Sequence, residues 1–182
     1  EPIMEEEFCD FSYGFRPGRS PHQALSATRS AVMDRHISWV IDADLKSFFD
    51  TIDHAHLREM LHHRVRDGVV LRLIGKWLKA GVMEAGLVHH PDSGTPQGGV
   101  ISPLLANLFL HVVLDTWMTR DVPDYLRGQW FIVRYADDYL LGFSEKSDAE
   151  MMMRVLPKRF ARFGLTLHPA KTRLVPFGRP CT

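Results

Sequence analysis

The run Ile132-Val133-Arg134-Tyr135-Ala136-Asp137-Asp138-Tyr139-Leu140-Leu141 sets two adjacent carboxylates between two short stretches rich in β-branched and aromatic residues. This pattern predicts a hairpin whose tight connection carries Asp137 and Asp138. Two anions side by side repel, and a divalent cation makes such a pair favourable. Taken alone, the stretch also fits an ordinary solvated turn.

A second acidic cluster lies upstream, in Trp39-Val40-Ile41-Asp42-Ala43-Asp44-Leu45-Lys46-Ser47-Phe48-Phe49-Asp50. Trp39 to Ile41 starts a buried strand, and acids appear where it ends. A strand-end carboxylate facing a hairpin with two more suits two-metal phosphoryl transfer. Between the clusters, Gly94-Thr95-Pro96-Gln97-Gly98-Gly99-Val100-Ile101-Ser102-Pro103 forms a glycine-rich loop feeding a long apolar helix. Glycines there let backbone approach a substrate closely.

These three segments, in this order, resemble the reverse transcriptases encoded by bacterial and organellar group II introns. Phe11-Ser12-Tyr13-Gly14-Phe15-Arg16-Pro17-Gly18-Arg19-Ser20 is similar to an earlier block of that family. Gly164-Leu165-Thr166-Leu167-His168-Pro169-Ala170-Lys171-Thr172 is similar to the block after its acidic hairpin. A four-residue Tyr-Ala-Asp-Asp string is weak on its own; combined with the long block before it, chance ceases to compete.

The resemblance implies an α+β fold, a right-hand polymerase palm whose small antiparallel sheet is backed by helices, with part of the fingers. It implies one fingers–palm segment over residues 1–182, fingers-like over about 1–36 and 54–100 and palm over about 37–53 and 101–182. The thumb and RNA-binding region would then lie outside this chain, in a longer polypeptide. The implied activity is RNA-directed DNA polymerisation, adding dNTPs to a DNA primer on an RNA template. Two Mg²⁺ ions, with Mn²⁺ as a substitute, would be held by Asp44, Asp137, Asp138 and the Leu45 carbonyl. Asp42 and Asp50 read as structural acids.

Phe49 matches the family's aromatic position beneath the incoming sugar, which selects deoxynucleotides, with Phe48 left for the core. Gln97 and Gly98 would line the nucleotide site, together with Tyr135. Arg16 and Arg19 would contact template or nucleotide phosphates, since guanidinium forks suit phosphate oxygens; pinning a loop is the other reading. Lys171 would protonate the leaving pyrophosphate or simply pair with phosphate. Two other readings stay open: an RNA-binding maturase that assists splicing of an intron RNA without polymerisation, and an RNA-dependent RNA polymerase, against which Phe49 argues.

At 182 residues and 45% hydrophobic content, the chain can bury one good core. No apolar run approaches the ~20 residues needed to span a bilayer, so no membrane partner is expected. Cys9 and Cys181 lie near opposite ends and give no reason to expect a disulfide; a bacterial cytoplasmic, nucleic-acid-associated setting is the default. With 22 basic and 22 acidic residues the net charge is zero, which lacks the basic surplus usual in nucleic-acid binders. Five acids fall within the first ten residues, leaving 22 basic against 17 acidic groups elsewhere. Oligomeric state is not legible. The histidine pairs His62-His63 and His89-His90 lack companion cysteines at zinc spacing and read as solvated.

Ser20-Pro21 predicts a capped helix start, with Ala24, Leu25, Thr28 and Val32 on one stripe. A strand is expected over about 38–43, a helix capped by Asp53, a second apolar helix from Val70 to Leu78, and a weak hairpin over 82–88. The longest helix should begin at Ser102, with Leu105, Phe109, Val112 and Thr116 sharing a face. A helix over about 147–163 and short strands near 165–167 and 173–177 complete the expectation.

Overall fold

The computed structural model describes residues 2–79, 82–84, 87–89 and 101–177. In chain order the elements are α1 (Pro2–Glu5), α2 (Pro21–Asp34), β1 (Trp39–Ala43), α3 (Phe48–Thr51), α4 (His54–His62) and α5 (Gly68–Lys79). Then come β2 (Val82–Glu84), β3 (Leu87–His89), α6 (Ser102–Leu110), α7 (Thr116–Arg120), β4 (Trp130–Tyr135), β5 (Asp138–Phe143), α8 (Lys146–Ala161) and β6 (Arg173–Pro176). A π-helical segment, His111–Asp115, joins α6 to α7 without a break.

Four strands form an antiparallel sheet in the order β4-β5-β1-β6, and β2 and β3 form a separate hairpin. Side chains alternate across the sheet. Ile41, Ile132, Leu141 and Phe143 enter the main core with Phe109, Leu110, Leu114, Met152 and Phe160 of the helices. Each such side chain, once buried, contributes about 1.5–3 kcal/mol. On the opposite face, Phe131 and Val133 pack with Tyr13, Ala24 and Ile37, so α2 covers the β4 side. This is the α+β arrangement expected of a palm: a small antiparallel sheet backed by helices.

Local signals explain most element starts. Ser20 and Gln23 form a reciprocal capping box on α2, with Pro21 opening the helix. One Asp53 carboxylate oxygen accepts the backbone N–H groups of Ala55 and His56 at 2.7 and 2.9 Å, capping α4.

Three expectations need correction. Leu25 is 69% exposed, because the packed stripe of α2 is Ala24, Ala27, Ala31 and Val32, and Leu25 lies a quarter-turn away. On the long helix, Leu105 and Phe109 are buried as expected, but Val113 and Leu114 take over from Val112, and Met118 from Thr116. The π segment inserts extra chain per turn and rotates the following face. Near residue 167 there is only a single bridge, Leu45 to Leu167, rather than a strand. Two Val carbonyls of the π segment are taken up by Arg159, whose Nε and Nη2 donate to Val113 O at 2.9 Å and Val112 O at 3.3 Å.

Candidate functional site

The expected hairpin forms, with Ile132 opposite Leu141 and Tyr135 opposite Asp138. The turn itself is Ala136-Asp137, so Asp138 is the first residue of β5 rather than part of the turn. Ala136 has φ +57°, a left-handed conformation that costs a non-glycine residue about 1 kcal/mol and needs support from its surroundings. That support is visible. A Cβ on Gly14 would lie 2.2 Å from Ala136 N, so only glycine lets the 11–14 segment run this close to the turn. Tyr13 N donates to Arg134 O at 2.8 Å, and Arg134 N donates to Phe11 O at 2.9 Å.

Beneath the turn sits Arg134, fully buried. Its Nε and Nη2 donate to the two carboxylate oxygens of Asp115 at 2.8 and 2.6 Å. Its Nη1 donates to Asn107 Oδ1 and to Ala136 O, both at 2.9 Å. Asn107 Nδ2 in turn donates to Gly14 O at 2.7 Å. Burial would push the Asp115 carboxyl up, but Arg134 and His111 hold it below its ordinary value. A buried pair of this kind survives because nearly every polar atom is satisfied; removing one partner costs about 3–5 kcal/mol.

Sequence reasoning misses this network, although a signal exists. Arg134 alternates in phase with Ile132, which puts a charge on the core-facing side of a strand. Asn107, His111 and Asp115 recur every fourth residue in an otherwise apolar helix.

The acids gather at one end of the two central strands, β5 and β1. Ala43 pairs with Tyr139, so Asp44 follows one step beyond, beside Asp138. Ile41 and Ala43 face the helices, which turns Asp42 and Asp44 to the other face. Burial pushes the Asp137 carboxyl above its ordinary value; its own backbone N–H opposes this, and the Asp44 charge adds to it. Asp138 is raised by burial and then by Asp137 and Asp44. The three expected acids therefore come together electrostatically.

Lys171 is the counter-charge: its Nζ lies 2.7 Å from Asp44 Oδ2, with the lysine side chain largely exposed. The hydrogen bond to Asp44, followed by the Asp44 charge, holds the ammonium above its ordinary pKa. Among the described residues no three acids, histidines or cysteines stand as a ready-made metal cage. Asp44 is instead paired with Lys171. The donor chemistry nevertheless fits a hard cation, since the acids are oxygen ligands already attracting a positive group.

The other expected site residues divide. Phe48 is buried, its ring centroid 6.5 Å from that of Phe109, whereas Phe49 is partly buried against the margin of the same core, 5.3 Å from the Phe48 ring. Tyr135, at the end of β4, is 36% exposed beside the acids. Leu45 has a buried side chain, bridged to Leu167. Asp42 pairs loosely with Arg173 at 3.4 Å.

Arg16 is a correction to the phosphate-contact expectation. Its guanidinium is buried, with Nε on Glu5 at 2.9 Å and Nη1 on the carbonyls of Cys9 and Ser12 at 2.8 Å, over the Phe8 ring. These three hydrogen bonds pin the 5–12 segment, the loop-pinning role that is the other reading of this arginine. Arg19 pairs with exposed Asp10 at 2.7 Å and remains accessible, in a contact of little energetic weight. Gln97 and Gly98 lie outside the described residues.

The family described as reverse transcriptase (RNA-dependent DNA polymerase) matches residues 1–177. The group II intron-encoded protein LtrA of Lactococcus lactis is 44% identical over 111 residues, covering 61% of this chain and 18% of that protein. Protein YkfC of Escherichia coli is 43% identical over 114 residues, 61% of this chain and 30% of its own length. The putative COX1/OXI3 intron 1 protein of Saccharomyces cerevisiae is 30% identical over 220 residues, 94% of this chain and 26% of its own length. The chain thus spans less than a third of these curated relatives.

Among solved structures, telomerase from Candida albicans in complex with a TWJ fragment of telomeric RNA superposes with TM-score 0.71 at 14% identity, over 93% of this chain and 32% of that one. That likeness is one of fold. The chain belongs to the reverse transcriptase family, on the side of the group II intron-encoded proteins.

The raised carboxylates have a consequence for stability. The folded chain holds the protons of Asp137 and Asp138 more tightly than the unfolded chain does. Ionised, the pair therefore costs stability at neutral pH, and that cost vanishes as pH falls through the raised pKa values. Asp138→Asn should raise Tm at pH 7 without divalent cation by about 1–3 °C, discounted for solvent screening, and the gain should shrink on acidification. Thermal unfolding across pH checks this; a lower Tm at pH 7 contradicts it.

Proposed function

We propose that this chain carries the catalytic palm of an RNA-directed DNA polymerase of the group II intron type. What supports the reading is the placement of Asp44 beside the Asp137–Asp138 pair at one end of the two central strands, where burial and the neighbouring carboxylates raise the two hairpin acids above their ordinary values. An RNA-binding maturase has no use for three mutually repelling carboxylates. The domain reading proposed with it assigns about 1–36 and 54–100 to fingers and about 37–53 and 101–182 to palm.

Asp44, Asp137 and Asp138, with the Leu45 carbonyl, would hold two Mg²⁺ ions. When bound, these would supply charge neutralisation at the attacking and leaving oxygens of nucleotidyl transfer. Arg134 keeps the hairpin tip that carries Asp137 and Asp138 in place, so these two are positioned in advance. Lys171, on a long exposed stem, is free to leave Asp44 once a cation takes its place and to pair with or protonate the phosphate that departs. Phe49, partly buried at the margin of the core five residues after Asp44, would supply the ring that excludes a 2′ hydroxyl. Tyr135 and Arg19 supply further accessible contacts for nucleotide and template. The substrates in this reading are an RNA template, a DNA primer and dNTPs, and an intron RNA is the partner that the relatives suggest.

Asp137→Ala with Asp138→Ala, in the protein that carries this chain, should abolish cDNA synthesis on an RNA template while leaving RNA affinity nearly unchanged. Primer extension and filter binding measure the two. Continued extension defeats the assignment, and loss of both functions in a folded variant makes the acids structural.

Phe49→Ala should raise incorporation of ribonucleotides relative to deoxynucleotides in single-nucleotide extension. Unchanged discrimination would return Phe49 to the core and reopen the RNA polymerase reading.

A further inference from the structure

His111 is the loose end of the network beneath the hairpin. It opens the π segment and is only 9% exposed. Its Nδ1 is buried without a hydrogen-bond partner and lies 3.8 Å from Asp115 Oδ2, the same oxygen that takes Arg134 Nη2 at 2.6 Å. Its Nε2 lies 3.5 Å from Thr116 Oγ1, and the Phe8 ring packs against the imidazole with centroids 5.5 Å apart and planes at 68°. The π segment makes this placement. Thr116 N donates to His111 O, five residues back, so residues 111 and 116 meet on one face. In an uninterrupted α-helix, residue 116 would sit over 112 and 113 instead.

A neutral imidazole carries one N–H, and the hydrogen bond made by one nitrogen decides the state of the other. Asp115 is ion-paired with Arg134 and presents negative charge to Nδ1. A lone pair on Nδ1 would face that charge, and the buried nitrogen would stay unsatisfied. A proton there is attracted to it. Nε2 is then the acceptor, and the Thr116 hydroxyl, which rotates to suit, donates to it. An ionised carboxylate has about four lone-pair sites, so Oδ2 can take His111 beside Arg134. Bracketed between the two, the Asp115 carboxylate keeps the orientation in which each of its oxygens meets one donor of Arg134.

We propose that His111 is a positioning residue: held as the Nδ1–H tautomer by the Thr116 hydroxyl, it fixes Asp115 and, through Arg134 and the Ala136 carbonyl, the hairpin that carries Asp137 and Asp138. That this serves cation binding rests on the polymerase reading; the tautomer and the hold on Arg134 do not.

The first test needs no loss of function. In the protein that carries this chain, with histidine rings labelled with nitrogen-15, the His111 signals are those that vanish in His111→Asn. At about pH 8, above the ordinary histidine range, Nδ1 should report an attached proton and Nε2 a bare nitrogen. A bare Nδ1 overturns the assignment.

The second test separates positioning from packing. His111→Asn keeps a donor where Nδ1 stands, whereas His111→Leu keeps only bulk. In a folded His111→Leu protein the Arg134 Nε–H signal should shift and broaden. The Mg²⁺ affinity read from the carboxylate carbon-13 signals of Asp137 and Asp138 should fall about 10-fold, the low end of what losing a group behind a metal ligand costs. His111→Asn should restore the Arg134 signal and most of that affinity. A purely packing role gives the opposite order, with Leu native in signal and affinity and Asn impaired, and that result overturns the proposal. If the hairpin acids of the native protein take up no Mg²⁺, the polymerase reading fails, while the tautomer and the Arg134 signal still decide the role of His111.

Discussion

The buried pair between Arg134 and Asp115 is the interaction on which the rest of the structure depends. It ties the hairpin to the helix beneath it through two donors on one carboxylate, and a third donor reaches both Asn107 and the turn carbonyl at Ala136. Such an arrangement gains little net free energy over an apolar replacement, because desolvation offsets attraction. Its value lies in direction. A Leu at position 134 would bury well and leave the turn free to adopt its preferred right-handed conformation. With Arg134 in place, Ala136 is held left-handed, Gly14 closes over it, and Asp137 and Asp138 project where Asp44 already stands.

The π segment belongs to the same construction. In an uninterrupted α-helix, residues three and four apart share a face, and Val112 would lie over the core with Phe109. It is Val113 and Leu114, four residues beyond Phe109 and Leu110, that are buried through the turn at 111–115, with Asp115 buried against Arg134. Arg159 takes up carbonyls from this segment, so α8 supports the helix from behind. Stabilising terms are therefore concentrated under the hairpin tip, while the ionised Asp137–Asp138 pair opposes folding at neutral pH. This is the distribution expected where function asks for like charges in one place.

How much of this is legible in the sequence depends on the range of the interaction. The hairpin, the capped starts of α2 and α4 and the strand ending before Asp44 follow from residues within one element, and all are readable. So is the grouping of the three acids, because strand ends and turns are readable and the family blocks supply their order. The Arg16 contact is not readable: an arginine in a glycine-rich block looks the same whether it reaches solvent or folds back on Cys9 and Ser12. The shift of the long helix from Val112 to Val113 is equally silent, since a π segment has no local composition of its own and arises from its tertiary partners. Arg134 lies between these cases. Its phase on β4 marks it as buried, but its partner 19 residues earlier becomes identifiable only when the helix and strand are brought together.

The most direct measurement is carbon-13 NMR of the aspartate carboxylates during Mg²⁺ titration, compared between the native chain and Arg134→Lys. Lysine keeps the charge but loses the fork that holds Asp115, Asn107 and Ala136 at once. If the buried clamp sets the acids, the signals of Asp44, Asp137 and Asp138 shift together with one apparent affinity in the native chain. In a folded Arg134→Lys chain, the hairpin acids should then separate from Asp44, with affinity reduced about 10- to 100-fold, the usual consequence of losing a group that orients metal ligands. Concerted shifts with undiminished affinity in the folded variant would contradict the role assigned to Arg134.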